Sequence, residues 1–188
     1  IIEAARSRMD SELKQFLQVL IAACNGGSDP KVFILGSVFG GTGGSNYINA
    51  MNRDHEKLGP QAFWGNASSV VPARISYLLN LKGSSIAIDT ACSSSLVAIH
   101  LACQSLRSRE CDMAIAGGVF MNTTEHFYLM SDNAGMLSPD GKCKTYDNGA
   151  NGFVPGEGSG AIVLKPYKKA VEDHDVIYGI IKGSLTNQ

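Results

Sequence analysis

The 188-residue sequence has no excess of charge of either sign and no long hydrophobic run. It contains 16 Lys and Arg residues against 17 Asp and Glu residues. A sequence-independent nucleic-acid binder needs a basic surface to neutralise phosphates, so this balance argues against one. No apolar run reaches the roughly 18 residues that span a bilayer, and the first residues lack the layout of a signal peptide. We therefore expect a cytoplasmic protein that binds neither nucleic acid nor a membrane.

Closely paired cysteines are also missing. The five cysteines are an odd number, and no two of them form a C-x-x-C pair. A disulfide framework or a zinc ribbon needs closer, paired spacing. The sequence therefore predicts no metal site and mostly buried, reduced thiols. The five are Cys24, Cys92, Cys103, Cys111 and Cys143.

Proline is scarce, with six residues, whereas glycine is abundant, with 21 of 188. The usual share of glycine is about 7%. There is no G-X-Y period, so the excess does not indicate collagen, and the 44% apolar content at near-zero net charge argues against a disordered chain. In a globular chain, glycine marks places where the backbone turns sharply or passes close to another group.

Hydrophobic periodicity predicts an N-terminal helix and a buried strand. Apolar residues recur every three or four positions over 2–24, as in an amphipathic helix. The run KVFIL at 31–35 predicts a short strand. A glycine-rich loop at 36–44 follows it, and the polar stretch to Lys57 is compatible with a helix.

The middle of the chain predicts a βαβ unit. A strand at 85–88 is followed by a helix at 92–109 and by a strand at 112–116 that Gly117 and Gly118 close. So short a span predicts parallel strands with a crossover helix. We expect one apolar face on this helix, with the small side chains elsewhere. The apolar face is Leu96, Ile99, Cys103 and Leu106, and the small residues are Ala98 and Ala102.

Further elements flank this unit. Pro72 suits the first turn of a helix. A loop rich in Gly and Asp is predicted at 131–158, followed by strands at 161–164 and 176–181 with a short charged helix between them. The whole pattern is typical of an α/β layer protein. The apolar positions of the helix at Pro72 are Ile75, Leu78 and Leu79.

Cys92 lies where a buried strand runs almost directly into a buried helix. At such a position, backbone N–H groups without helical partners and the positive end of the helix dipole face the sulfur. That environment favours a thiolate, which a nucleophilic cysteine requires. The alternative is a buried structural cysteine whose three following serines act as caps and spacers. From the chemistry alone, both interpretations stand.

Several ordered motifs resemble those of the β-ketoacyl synthases, the condensing enzymes of polyketide and fatty-acid synthesis. The match extends over roughly residues 60–188 and is most similar to ketosynthases of modular polyketide synthases. Motifs in this order are far more specific than one short match. They are NASSVVPARISY at 66–77, DTACSSSL at 89–96, AGGV at 116–119, AGMLSPDG at 134–141, CKTYD at 143–147 and GEGSG at 156–160.

The resemblance implies a fold and a domain organisation. The family has a thiolase-like fold of α-β-α-β-α layers built from two similar halves, and it forms homodimers. This chain is then mainly the first half. We expect residues 1–188 to be a partial ketosynthase domain, with a weak match over 1–58 and a strong match over 59–188.

The resemblance also implies a reaction. Cys92 is the nucleophile that receives an acyl group from phosphopantetheine, and a malonyl-type extender on an acyl carrier protein then loses CO₂ and attacks the acyl thioester. The domain itself binds no cofactor, and its partners are acyl carrier protein and the acyl and malonyl-type thioesters. Backbone N–H groups at the Cys92 turn are expected to contribute to an oxyanion hole. Glu157 and Asp147 match positions that order the loop beneath the site.

The family's two catalytic histidines lie in its C-terminal half. None of the four histidines of this sequence lies in a matching motif, and His100 is about two helical turns beyond Cys92 on the same helix. We therefore expect the chain alone to be acylated at most, without condensing. The four are His55, His100, His126 and His174.

Alternatives arise from the glycine-rich segment at 36–45. A strand, a glycine loop and a helix can hold phosphate on backbone N–H groups, and the loop resembles that of tubulin-like GTPases with two residues transposed. This alternative is a nucleotide-binding module. Two others are a non-catalytic ketosynthase-like packing fragment and a hybrid chain whose first 45 or so residues come from another protein.

Overall fold

The computed structural model describes residues 60–122 and 124–187, together with the backbone of a strand at 32–37. The predicted helix at 2–24, the polar stretch to Lys57 and the loop after Ser37 lie outside these residues. Four strands and five helices are described, with one 3₁₀ turn at Ala91–Ser93. They are β1 (Val32–Ser37), α1 (Pro60–Asn66), α2 (Val70–Leu78), β2 (Ser85–Ile88), α3 (Ser94–Arg107), β3 (Ala114–Phe120), α4 (His126–Asn133), β4 (Gly158–Leu164) and α5 (Tyr167–Glu172).

The strands form one sheet in the order β2-β1-β3-β4. β1 pairs in parallel with both β2 and β3, whereas β4 runs antiparallel to β3. Because β2 and β3 are both parallel to β1 and α3 joins them, the predicted βαβ unit is confirmed. Its two strands are not neighbours, since β1 lies between them.

Helices cover both faces of the sheet. Ala114 and Ala116 of β3 belong to a buried cluster with α3, whereas Ile115 packs with Ile75 of α2 on the other side. Successive residues of a strand point to opposite faces, so β3 contributes to both layers. The predicted helix at Pro72 is confirmed as α2, in which Pro72 and Ile75 are buried.

The buried face of α3 differs from the prediction. Ala98 and Ala102, placed elsewhere by sequence, are fully buried, whereas Leu96 is 72% exposed. Cys103 is buried as expected, and Ile99 and Leu106 pack at the edge of the cluster. Small side chains let the helix backbone approach the sheet closely, and the apolar period cannot show this.

β3 does not end at Gly117 and Gly118, as predicted, but continues to Phe120. A Cβ on Gly117 would lie 2.5 Å from the carbonyl oxygen of Gly160 and 3.2 Å from the Cβ of Ala161. Glycine here therefore permits close approach of β4 rather than a turn.

Two other predictions are corrected in the second half of the chain. α4 was not predicted, and it extends to Asn133, inside the segment expected to be loop. The predicted strand at 176–181 does not form, although the short helix before it does, as α5. A strand needs the backbone of a neighbour to pair with, and in the described part of the chain this segment pairs with none; all six of its residues are exposed.

Among the described residues, no helix combines the length and the apolar character that crossing a bilayer requires.

Candidate active site

The connection from β2 to α3 contains a backbone conformation that is unusual for its residue type. Ala91 has a φ of 53°, in the left-handed region. For a residue other than glycine this costs on the order of 1 kcal/mol or more, so the surroundings must hold it in place. Cys92 follows within the 3₁₀ turn Ala91–Ser93, and α3 begins two residues later, at Ser94.

Hydrogen bonds from side chains close in the sequence hold this turn. Asp89 Oδ1 accepts a hydrogen bond from the Ala91 N–H at 3.1 Å. Ser94 Oγ accepts from the Thr90 N–H at 2.9 Å and donates to the Ala91 carbonyl oxygen at 2.7 Å. Ser93 Oγ donates to the Thr90 carbonyl oxygen at 2.8 Å. Side chains on both sides of Cys92 therefore fix its backbone.

Cys92 itself is exposed, at the N-terminal end of a 14-residue helix. Its predicted place at a strand-to-helix turn is confirmed. The burial that a structural cysteine would require is absent, whereas Cys103 and Cys111 are buried. The geometry therefore presents one accessible thiol at a rigid turn.

The other cysteines only partly follow the prediction of buried thiols. Of the four that the structure describes, Cys143 is exposed like Cys92, and the Val154 N–H donates to its sulfur at 3.1 Å. All four are free thiols. Cys24 lies outside the described residues. Within the described ranges, no cluster of His, Cys, Asp and Glu side chains could hold a metal ion.

A cavity of about 360 Å³ lies beside the first turn of α3 and has a mainly apolar wall. Ser95 lines it, as do Phe120 from the end of β3 and Phe127 from α4. These two rings meet edge to face with their centroids 5.4 Å apart. Phe153, Val154 and Pro155 also contribute to the apolar part. The sequence did not single out these residues, because no local period connects rings from three separate segments.

Glu157 and Asp147 lie in the segment between α4 and β4. Glu157 Oε1 accepts a hydrogen bond from the Asn122 N–H at 2.7 Å and thus joins the approach to β4 to the end of β3. Asp147 Oδ1 accepts from the Gly149 N–H at 2.6 Å, which closes a tight turn. Both contacts order backbone, in keeping with the loop-ordering role that the motif implied.

The three described histidines lie apart from the thiol. His100 Nδ1 is 2.9 Å from Ser184 Oγ, so its ring joins α3 to the C-terminal segment. His126 and His174 are exposed. Among the hydrogen bonds of the described residues, none connects a histidine to Cys92. His55 lies outside the described ranges.

Comparison with known proteins identifies the class. A model of the β-ketoacyl synthase N-terminal domain matches residues 3–170, and the chain therefore belongs to this family. Among curated relatives, Polyketide synthase PksL of Bacillus subtilis is 61% identical over 124 residues, which are 66% of this chain and 3% of that protein. Highly reducing polyketide synthase dmxL2 of a Cryptosporiopsis species is 41% identical over 183 residues, 96% of this chain and 8% of that protein.

Two solved structures resemble the chain in three dimensions. The ketosynthase from module 6 of the bacillaene synthase of Bacillus subtilis has a TM-score of 0.68 at 49% identity, covering 81% of this chain and 25% of that one. The oxazolomycin ketosynthase domain OzmH KS7 of Streptomyces albus has a TM-score of 0.66 at 35% identity, covering 82% and 26%. The thiolase-like α/β fold is thereby confirmed.

These comparisons also bear on the alternatives. The family and the relatives give no support to a nucleotide-binding module at 36–45. The chain spans about a quarter of the two solved ketosynthases and less than a tenth of the two curated relatives.

Proposed function

We propose that the protein containing this chain is a polyketide-synthase ketosynthase and that Cys92 is its acylated nucleophile. The observation that carries this proposal is the exposed thiol at the β2–α3 turn of a chain that belongs to the β-ketoacyl synthase family. One buried and one exposed serine hold this turn by hydrogen bonds. Nucleophilic catalysis by a cysteine needs a sulfur that is accessible and held in a fixed position, and this turn meets both requirements.

In the first half-reaction, the thiolate of Cys92 attacks the carbonyl carbon of an acyl thioester. A new S–C bond forms, and the carbonyl oxygen becomes an oxyanion. The bond to the carrier's sulfur then breaks, and the departing thiolate takes up a proton. The Cys92 N–H at the start of the helix is a donor suited to that oxyanion, because negative charge develops close to the attacking sulfur.

In the second half-reaction, a malonyl-type thioester loses CO₂, and the electron pair of the broken C–C bond passes to its α-carbon. This carbanion attacks the acyl group on Cys92 and expels the Cys92 thiolate. The product is a β-ketoacyl thioester. Groups that assist the loss of CO₂ belong to the whole domain, and none of the described histidines of this chain is assigned that role.

Substrates and partners follow from the same proposal. The acyl and malonyl-type groups arrive on the phosphopantetheine of an acyl carrier protein, the domain carries no cofactor of its own, and the intact domain is a homodimer in the cytoplasm. We further propose that 1–188 is part of one ketosynthase domain, of which 59–188 carries the stronger family pattern and 1–58 the weaker one.

The test is condensation by the full-length protein, supplied with an acyl thioester and a malonyl-loaded carrier. We expect Cys92→Ala to abolish the β-ketoacyl product, since alanine has no sulfur to form the acyl thioester that the extender attacks. Cys143→Ala is the matched control, because Cys143 is also exposed, and it should retain the activity. Condensation at the wild-type rate by Cys92→Ala would instead favour a non-catalytic packing role for this chain.

A further inference from the structure

Ser94 is the side chain that joins the two ends of the Cys92 turn. It is completely buried, whereas Cys92, two residues earlier, is exposed. Its hydroxyl accepts from the Thr90 N–H, on the strand side, and donates to the Ala91 carbonyl oxygen, on the helix side. We propose that Ser94 is a positioning residue that aims the backbone N–H of Cys92 at the carbonyl oxygen of the bound thioester. This inference rests on the proposed function.

The geometry of one peptide carries the inference. The Ala91 carbonyl oxygen and the Cys92 N–H belong to the same planar, trans peptide group, so they point in opposite directions. Ser94 draws that oxygen inward, through its hydroxyl at 2.7 Å and also through its own backbone N–H. The Cys92 N–H must then point away from the buried hydroxyl and out of the N-terminal end of α3. When the exposed Cys92 sulfur attacks a thioester, the carbonyl oxygen that becomes the oxyanion lies on that side.

The left-handed Ala91 explains why a side chain is needed here. Residues other than glycine leave this conformation readily unless their neighbours hold them. The Ser94 hydroxyl holds the peptide before Thr90 and the peptide after Ala91, which lie on either side of the strained residue. Without it, the Ser94 N–H still holds one of the two. We therefore expect that removing the Ser94 hydroxyl leaves the turn folded but makes the direction of the Cys92 N–H less well defined.

Two reactions of the Cys92 thiol distinguish the orientation of its backbone N–H from the accessibility of its sulfur. Acyl transfer from a simple acyl thioester of N-acetylcysteamine passes through an oxyanion and uses the N–H donor. Alkylation by iodoacetamide needs the thiolate but forms no oxyanion. Both adducts on Cys92 are followed by mass spectrometry in the full-length protein.

We expect Ser94→Ala to slow acylation about tenfold and to change alkylation less than twofold. The expected loss is smaller than the 10²- to 10³-fold that follows complete removal of such a donor, because the Ser94 N–H remains. Ser105→Ala is the matched control: it makes the same change on the same helix, at a half-buried serine far from the turn, and it should leave both rates unchanged.

Equal rates of acylation in Ser94→Ala and the wild type would overturn the inference. An equal fall in both reactions would also overturn it, since Ser94 would then only maintain the fold of the turn. If Ser94→Ala gives no folded protein, Ser94→Thr keeps the hydroxyl and should preserve the ratio of the two rates within about twofold, whereas a tenfold fall in that ratio would count against it. A wild-type protein that is not acylated at Cys92 would refute the proposed function itself, which is a different outcome.

Discussion

At the scale of single residues, charge and hydrogen bonding act at two segments besides the Cys92 turn. In the loop after α4, Asp140 lies 2.8 Å from Lys144 Nζ and accepts a hydrogen bond from Ser138 Oγ at 2.6 Å. After β4, Lys165 Nζ lies 2.5 Å from an oxygen of Asp173 and 2.6 Å from one of Asp175. The first arrangement fixes a loop, and the second joins the end of β4 to the residues that follow α5.

The Asp140 contacts predict an acid-sensitive loop. Hydrogen bonds from Lys144 and then Ser138 lower the pKa of Asp140 from 3.8 to about 2. A carboxyl whose pKa is lower in the folded state stabilises that state above pH 3.8, and the contribution is lost as the pH falls toward 2. An NMR titration of the side-chain carboxyl should show a midpoint near pH 2, which Lys144→Met should move upward. A midpoint near 3.8 in both proteins would contradict this account.

The Lys165 cluster predicts a larger effect on stability. The Lys165 side chain is only 7% exposed, and the hydrogen bonds to its two carboxylates outweigh the effect of burial and raise its pKa. Removing one partner of a buried ion pair costs about 3–5 kcal/mol, and the partial exposure of both carboxylates reduces this. We expect Lys165→Met to lower the free energy of unfolding by about 2 kcal/mol, measured by urea denaturation. In the matched control Lys169→Met, the lost ion pair involves an exposed lysine, so the loss of stability should be much smaller than for Lys165→Met. Equal losses would show that burial does not matter here.

At the scale of helices and strands, close packing depends on residues without large side chains. α3 lies against the sheet through Ala98 and Ala102, which meet Ala114 and Ala116 of β3. β3 in turn pairs along its whole length with β4, with Gly117 opposite Ala161. β3 therefore has little room for larger residues on the face that meets α3 and at Gly117.

Gly117 provides a test of that packing. An added methyl group would lie 2.5 Å from the Gly160 carbonyl oxygen, which belongs to backbone and cannot move aside cheaply. We expect Gly117→Ala to destabilise the fold by about 2–3 kcal/mol, the upper part of the usual range for overpacking. On the neighbouring strand, a Cβ at Gly160 meets nothing within 4 Å, so Gly160→Ala should be nearly neutral. Thermal denaturation of both variants measures the difference, and equal melting temperatures would refute the explanation.

Much of this element structure could be predicted because apolar runs and glycine boundaries are local signals. β2 has the predicted bounds, and β1 and α3 lie within two residues or so of theirs. The buried face of α3 could not be predicted, because the period shows which side chains share a face but not how closely a sheet approaches. The left-handed Ala91 carries no sequence signal either, since alanine is not a turn residue. The strand predicted at 176–181 does not form, because a β-prone segment forms a strand only where it has a partner to pair with.

At the scale of the whole molecule, the sheet with helices on both faces and the β-ketoacyl synthase motifs agree on one fold. The candidate nucleophile lies where a strand of this sheet meets the helix that covers it, and the aromatic cavity opens beside the same helix. Binding sites of α/β proteins commonly lie beyond the carboxyl ends of parallel strands, and Cys92 follows the carboxyl end of β2. Fold and site thus support the same proposal by independent observations.

The proposal depends above all on which sulfur is acylated. The most direct measurement is to treat the full-length protein with an acyl thioester and to locate the adduct among the cysteines by mass spectrometry. The account predicts one adduct, on Cys92, which disappears in Cys92→Ala and persists in Cys143→Ala. Adducts spread over all the cysteines, or a single adduct on Cys143, which is also exposed, would contradict it.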